Sequence, residues 1–540
     1  VNRADDRWAP LEALALAALI LLLTVCALLW LTFQLAALVS GEGPLPLVAA
    51  DLPPALLRLP SHARDPRQAL PPDAAAVAPG APAVYASMIV LLGAALGLAL
   101  AAQRLLHRPP RADGARLATG RDLCGLLSRT PVPGRLTLGR HGRRLVVAEP
   151  RHSLLVVGPP QTGKTTALAI PAILEWPGPV VVTSSKTDVL EVTRAARTRR
   201  GEVMIYDPTG DTESSVGWTP LASVHDWGTA QAAAHALLSA RRGLDGMNES
   251  TFWNASAEMM IAPLLLAAHL TQAGMAGVVA WLDAGPQADE DIHAALGGSP
   301  EPLAASAWTA VTAMDPRTRM NVAATARTVL AAWWDPRVLG LARPELTPQR
   351  LLSGSGSLFL VASAHHQQRL QSVLAAIISE ITNAVYEHRA RTGERLERGL
   401  LLVLDEAAHI APVRNLPELA ATGPEPGIQL ISVFQDLAQI RIVYGQAAPT
   451  VVANHRARIY LPGIGDPDTL TDLARTFGDA VAERIQVTTG PSGTAVTTAQ
   501  ERRPLLAPNQ LRELRTGEAL LLYGSRPPAK LTLRHWYRER

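Results

Sequence analysis

The chain has 540 residues, of which 48% are hydrophobic and only 18% charged, and its formal net charge is +3. That balance excludes a disordered or acidic-tail protein, while Cys26 and Cys124, the only cysteines, cannot make a disulfide framework or a four-cysteine metal site. A mean hydropathy of +0.12 directs attention to membrane segments first.

From Ala13 to Ser40 there are 28 residues without a charge. A bilayer core needs about 20 such residues in a helix, and a signal peptide has an apolar region of only about 7–15, so a first span is expected at about 13–39. The uncharged run Ala74–Gln103 is expected to span at about 82–103. Arg3 and Arg7 precede the first span, and Arg104, Arg108, Arg111, Arg116 and Arg121 follow the second. Arginine flanks favour the cytoplasmic side. Residues 1–110 therefore read as a membrane anchor with both ends inside and a proline-rich loop, about 41–80, outside. Arg58, Arg64 and Arg67 in that loop narrow the margin. Gly93 and Gly97 fit a helix-packing face or simply the usual glycine content of membrane helices.

Leu154–Val157 is a short apolar run that ends in Gly158-Pro159-Pro160-Gln161-Thr162-Gly163-Lys164-Thr165-Thr166, and a helical pattern follows from Ala167 to Glu175. Strand, G-x-x-x-x-G-K-T loop and helix in this order make a phosphate-binding loop for ATP. Glycines let backbone N–H groups turn toward phosphates, and the helix start adds its dipole. Lys164 is the candidate charge for the β- and γ-phosphates, and Thr165 a candidate hydroxyl ligand for Mg²⁺. Lys164, Lys186 and Lys530 are the only lysines among 50 basic residues, which sharpens the motif.

Val180–Thr183 and Val203–Tyr206 read as further strands, and residues 111–219 as the first part of a nucleotide-binding domain. From about 220 to 345 the pattern becomes helical, with Thr229–Arg241, Phe252–Thr271, Met275–Asp283 and Arg317–Trp334 spaced for helices. This stretch is read as an inserted all-α domain, since 241 residues separate Lys164 from Asp405. Trp253, Trp333 and Trp334 sit at apolar helical positions within it and read as core. The nucleotide fold is expected to resume over 346–540, beginning with a strand at Ser357–Ser363.

Leu400–Leu404 is a buried-strand pattern that ends in Asp405-Glu406. Asp405 is the candidate second group for Mg²⁺, and Glu406 the candidate that orients or deprotonates the attacking water. Ile428–Phe434 is another strand, and Gln435 after it either senses the γ-phosphate or caps the next helix. Ala457–Leu461, Ala519–Tyr523 and Lys530–Arg534 complete an expected parallel α/β sheet. Three arginine-rich stretches, Arg194–Arg200, Arg389–Arg398 and Arg502-Arg503, suit either phosphate contacts or solvated faces. His365, His366 and His409 lack metal-ligand spacing and read as structural or surface residues.

Together, the two spans, Val156–Thr165, Ile170–Leu174, Trp176-Pro177-Gly178, Phe252–Ala255, Leu404–His409 and Ser432–Gln435 resemble the type IV secretion coupling proteins, the TraG/TraD group. The resemblance implies a RecA-like ATPase anchored in the inner membrane by two helices, with the bulk of the chain cytoplasmic. It further implies a hexamer that delivers DNA, single-stranded and joined to a relaxase, to a type IV secretion channel, with the all-α domain contacting that substrate. Two rivals remain: a motor or receptor for protein effectors, and a membrane scaffold regulated by nucleotide. The chain departs from the family at Thr183–Asp188, where many members have an acidic or Gly-Glu step. Thr422–Gly427 lacks the arginine finger that many members have there, so a finger, if present, is Arg414, Arg441 or another residue. No docking tail is expected after the last strand.

Overall fold

A computed structural model describes residues 9–106, 114–239, 248–363, 365–410, 413–490 and 493–538. Arg3, Arg7, Arg108, Arg111, Arg241 and the expected boundary near residue 110 lie outside them. The chain divides into two compact units, Val1–Ala112 and Asp113–Arg540.

In the first unit, helices Ala9–Val39 and Ala81–Leu106 contain Leu22–Val39 and Ala81–Leu98, both long and apolar enough to cross a bilayer. The intervening segment is more ordered than its prolines suggested. Short helical turns at Ala49–Asp51, Leu52–Arg58, Leu59–His62, Pro66–Ala69 and Pro72–Ala75 fold it back onto the span ends. Leu45, Ala55, Leu70 and Ala74 bury against Phe33, Ala36 and Ala37. Gln34 makes two bonds to the Leu45 backbone, donating to its carbonyl at 2.9 Å and accepting its N–H at 3.0 Å. These satisfy polar groups that lipid could not. Among the described residues no atom comes within 4 Å of a Cβ built on Gly93 or Gly97.

The second unit is built on a 12-stranded sheet. Its strands are β1 (Leu127–Ser128), β2 (Thr137–His141), β3 (Arg144–Val147), β4 (Leu154–Val157), β5 (Val180–Ser184), β6 (Val203–Tyr206), β7 (Ser357–Val361), β8 (Leu400–Leu404), β9 (Ile428–Phe434) and β10 (Ala457–Tyr460), joined after an extended hairpin, β11 (Asp479–Gly490) with β12 (Gly493–Pro504), by β13 (Glu518–Tyr523) and β14 (Ala529–Thr532). The order is β1-β3-β2-β14-β13-β10-β4-β9-β8-β5-β7-β6.

From β10 to β6 all neighbours are parallel; from β13 to β1 all are antiparallel. The sheet is therefore mixed, correcting the all-parallel expectation. β1, β2 and β3 escape the sequence because they are two to five residues long and interrupted by Gly139, Arg140 and Arg144. In the parallel part, alternate residues serve opposite faces. Leu155, Val157, Leu400, Leu402 and Leu404 enter one apolar cluster, and Leu154, Val156, Leu401 and Val403 the other. Strands covered on both faces need unbroken apolar runs, which is why these were legible.

Helices occupy the stretch between β6 and β7, at Trp227–Ser239, Asn248–Leu270, Gly274–Ala284, Asp289–Gly297, Pro302–Thr312 and Pro316–Val329. Asp315 caps the last of these by accepting from the backbone N–H groups of Arg317 and Thr318. Trp333 is 1% exposed and belongs to the core, and Trp253 packs partly buried against the same cluster. Trp334 donates to Asp283 at 3.0 Å.

Candidate functional site

β4 carries the chain into the glycine-rich loop, where three local constraints fix its path. A Cβ on Gly158 would stand 2.6 Å from the Leu461 Cβ, so no larger residue fits there. Gly163 has φ +92, and Gln161 adopts φ +64, a conformation that side chains other than glycine rarely take. Thr162 Oγ1 donates to the Pro159 carbonyl at 2.8 Å, closing the turn. The chain then enters a wide helical turn, Thr165–Ala169, before the regular helix Ile170–Glu175.

β9 and β8 lie next to β4 on one side and β5 beyond them, all parallel. Their C-terminal ends therefore open at the same edge, where α/β sheets place ligands. The Gly158 N–H donates to the Phe434 carbonyl at 3.1 Å, tying the loop to the end of β9.

At this edge, Thr165 Oγ1 donates to Asp405 Oδ2 at 2.9 Å across 240 residues of sequence. Lys164 is 9% exposed, and its Nζ donates to the Gly158 and Pro159 carbonyls at 2.7 Å each. Burial lowers its pKa, against the pull of Asp405 and Glu406. Burial pushes the Asp405 carboxyl up to about 6, with Glu406 and Asp188 adding and the Thr165 hydroxyl and Lys164 opposing. Thr183 Oγ1 donates to the Asp405 carbonyl at 3.2 Å. Glu406 follows with φ +56, a strained backbone held by the turn in which the His409 and Ile410 N–H groups donate to its carbonyl.

Pro160, Gln161, Lys164, Thr165, Asp405, Glu406 and Gln435 line one cleft of about 200 Å³. Gly158, Pro159, Thr162, Gly163 and Thr166 complete the loop at its side. The Gln435 backbone N–H donates to Gln439 Oε1, and it is Asp436 that caps the next helix, through the Gln439 N–H. The helix-cap reading thus belongs to Asp436, and Gln435 faces the cleft.

The cleft also recruits residues that the motifs left out. Ser184, Ser185, Lys186 and Asp188, at the end of β5, line it, as do His409 and Gln439. Gln439 Nε2 donates to His409 Nε2 at 3.2 Å, so His409 belongs to the cleft wall. The β5 group follows from strand order and not from a local motif: a strand adjacent to β8 and parallel to it must deliver its C-terminal loop to the same edge. Arg441 pairs with Asp466 at 3.1 Å, and neither it nor Arg414 lines the cleft.

The donor set suits a Mg²⁺ ion with a phosphate chain. A hydroxyl and a single carboxylate are hard oxygen ligands of the number Mg²⁺ takes when phosphates and water fill the rest. Among the described residues no group of three or more His, Cys, Asp or Glu could hold a metal by itself.

The model of the type IV secretory system conjugative DNA transfer family matches residues 118–540. Conjugal transfer protein TraG of Agrobacterium fabrum is 25% identical over 395 residues, covering 69% of this chain and 59% of that protein. Protein VirD4 of the same organism is 20% identical over 424 residues, covering 74% and 60%. The chain thus spans about three fifths of the length of these relatives. Among solved structures, the bacterial conjugative coupling protein TrwBdeltaN70, unbound, superposes with a TM-score of 0.60 at 22% identity, over 78% of this chain and 92% of that one. TrwB in complex with ADP and Mg²⁺ superposes equally, at 0.60 and 22%, over 78% and 94%. The fold of the matched part is accordingly that of the conjugative coupling protein TrwB.

Proposed function

The chain belongs to the type IV secretory system conjugative DNA transfer family, and on that footing we propose that it is a membrane-anchored ATPase that couples DNA to a type IV secretion channel and drives its passage. In this reading the DNA is single-stranded and relaxase-bound, the working form is a homo-hexamer, and residues 1–110 anchor it in the inner membrane with the bulk of the chain cytoplasmic. Residues 220–345 form an inserted all-α domain between the two parts of the nucleotide-binding domain. The relatives named conjugal transfer proteins support the substrate class, and the two apolar helices support the anchor.

One observation carries the enzymatic part: the Thr165–Asp405 bond at 2.9 Å beside the buried Lys164. The loop backbone, Gly158 to Thr166, holds the phosphates, and Lys164 offsets the charge on the β- and γ-groups. Thr165 and Asp405 hold Mg²⁺, which supplies further charge neutralisation when bound. Glu406, presented by its left-handed backbone, orients the attacking water and accepts its proton. Gln435 faces the same space and links the state of the γ-phosphate to the helix Leu437–Tyr444.

The test is ATP hydrolysis by the full chain in detergent, with and without single-stranded DNA, at several salt concentrations. Stimulation by DNA that weakens steeply as salt rises supports phosphate gripping. Hydrolysis indifferent to DNA at every salt would remove the translocation reading.

A further inference from the structure

The cleft accounts for one end of a nucleotide only. Glu406 and Gln435 mark where the γ-phosphate belongs, so the phosphate chain must leave toward the ribose past the other flank of the loop, at Thr166, whose neighbourhood serves the α- and β-phosphates in loops of this type. What stands at that flank is a segment from the far end of the chain. Thr166 Oγ1 lies 3.1 Å from His535 Nδ1. A Cβ on Gly163 would stand 2.8 Å from His535 Cε1, so the imidazole packs directly on the loop.

The segment is held firmly. Arg534 pairs with Glu175, whose other oxygen accepts from Thr137 Oγ1 at 2.8 Å. Leu533 N–H donates to the Gly517 carbonyl at 2.7 Å, and Trp536 packs against the core under the sheet. His535 and Tyr537 stack with ring centroids 5.3 Å apart and 29° between planes. Tyr537 remains 50% exposed, with the Arg538 guanidinium 5.9 Å from its ring centre. Burial, with Arg538 adding, lowers the His535 pKa and so disfavours the charged ring.

We propose that His535 and Tyr537 form the platform on which the nucleobase of the bound nucleoside triphosphate stacks. This rests on the phosphate-loop reading above and extends it to the other end of the ligand. Stacking uses the π-face that every base has, so the platform favours nucleotides over bare phosphate chains without choosing strongly among bases.

The experiment compares two probes on the full chain in detergent with Mg²⁺, by calorimetry: a non-hydrolysable ATP analogue and inorganic triphosphate. Tyr537→Ala, at an exposed position that leaves the fold intact, is expected to weaken the ATP analogue about tenfold while triphosphate affinity stays within about twofold. Tyr537→Phe should restore the wild-type value, and His535→Ala should follow Tyr537→Ala. Equal losses for both probes, or none for either, would overturn the platform. Lys164→Ala separates the two readings: loss of triphosphate binding upholds the loop, whereas retained triphosphate binding overturns the loop and the platform with it.

Discussion

The two halves of the large sheet are built differently. From β10 to β6 the strands run parallel, each buried along nearly its whole length, and their C-terminal ends converge on one cleft. From β13 to β1 they run antiparallel, and β14 alternates buried and exposed residues. Antiparallel neighbours point their C-terminal ends in opposite directions, so that half cannot assemble a site from strand ends. It contributes by geometry of another sort, carrying the chain from β14 back to His535 beside the loop. Buried polar groups such as Arg197 and His455 lie in the parallel half, whereas Lys530 and Glu518 pair at the surface of the antiparallel half.

The largest effect expected from breaking this division is at the cleft. Lys164→Ala should lower ATP hydrolysis by at least about a hundredfold, since one well-placed charge on a phosphoryl transition state is worth several kcal/mol. Thermal unfolding should barely move, because the ammonium is bonded to two carbonyls of its own loop and to no distant element. Glu406→Gln should slow hydrolysis to a similar degree while nucleotide stays bound, measured by calorimetry beside turnover; loss of binding would give Glu406 another role.

Next comes the closed end of the parallel half. Arg197 is fully buried, and its guanidinium donates to Ser357 Oγ and to the carbonyls of Trp176, Gly178 and Ser355. Burial, aided by Arg200, brings its pKa down to about 10, so it stays charged at neutral pH. Arg197→Met removes this donor from all four acceptors, of which the Trp176 carbonyl keeps a bond from Arg200, and should cost about 3 kcal/mol, read as a fall in the unfolding temperature. Arg197→Lys should recover only part, because an ammonium cannot reproduce the planar fork.

A third, smaller effect depends on pH. His455 is fully buried; its Nδ1–H donates to the Val451 carbonyl at 2.6 Å, and its Nε2 accepts from Ser432 Oγ at 3.0 Å. Burial pushes its pKa down to about 4 from the usual 6.5. Between those values the unfolded chain takes up a proton that the folded chain refuses, so stability present above pH 6.5 is lost as pH falls toward 4, by up to about 3 kcal/mol. Glu380, which accepts from Trp218 Nε1 at 2.7 Å, has the opposite sign. Burial raises its pKa to about 7, so its contribution is present below about 4.5 and declines as pH rises to 7. The two slopes oppose each other between pH 4.5 and 6.5. His455→Gln should therefore tilt the unfolding profile toward falling stability with rising pH, and Glu380→Gln should tilt it the other way; profiles unchanged by either would contradict the assigned shifts.

The same division governs what could be read from the amino acids. β4, β8 and β9 were legible because burial on two faces demands apolar runs, and the glycine loop and acidic doublet mark the ends of two of them. Ser185, Lys186 and Asp188 were not legible as cleft residues, since their role follows from which strand lies beside β8, and strand order is not written in local sequence. His409 was read as structural or surface, though the turn after Asp405-Glu406 aims it at Gln439. His535 was invisible for a stronger reason: 369 residues separate it from Thr166, and its position depends on an antiparallel extension whose short strands carry no clear period.

The smallest expected effect lies at the surface of that extension. Lys530 Nζ sits 2.9 Å from Glu518 Oε2 across β14 and β13, with the lysine side chain 47% exposed. The pair holds the Glu518 carboxyl below its ordinary pKa, yet water and salt screen it. Holding two long side chains together also costs entropy, so exposed pairs contribute under about 1 kcal/mol. Lys530→Met should therefore shift unfolding far less than Arg197→Met, and the shift should shrink further as salt is raised. Were the two substitutions to cost the same, the contrast between the buried guanidinium of the parallel half and the exposed ion pair of the antiparallel half would fail. Were Lys530→Met also to weaken the ATP analogue, β14 would matter to the site through the position of His535, five residues on.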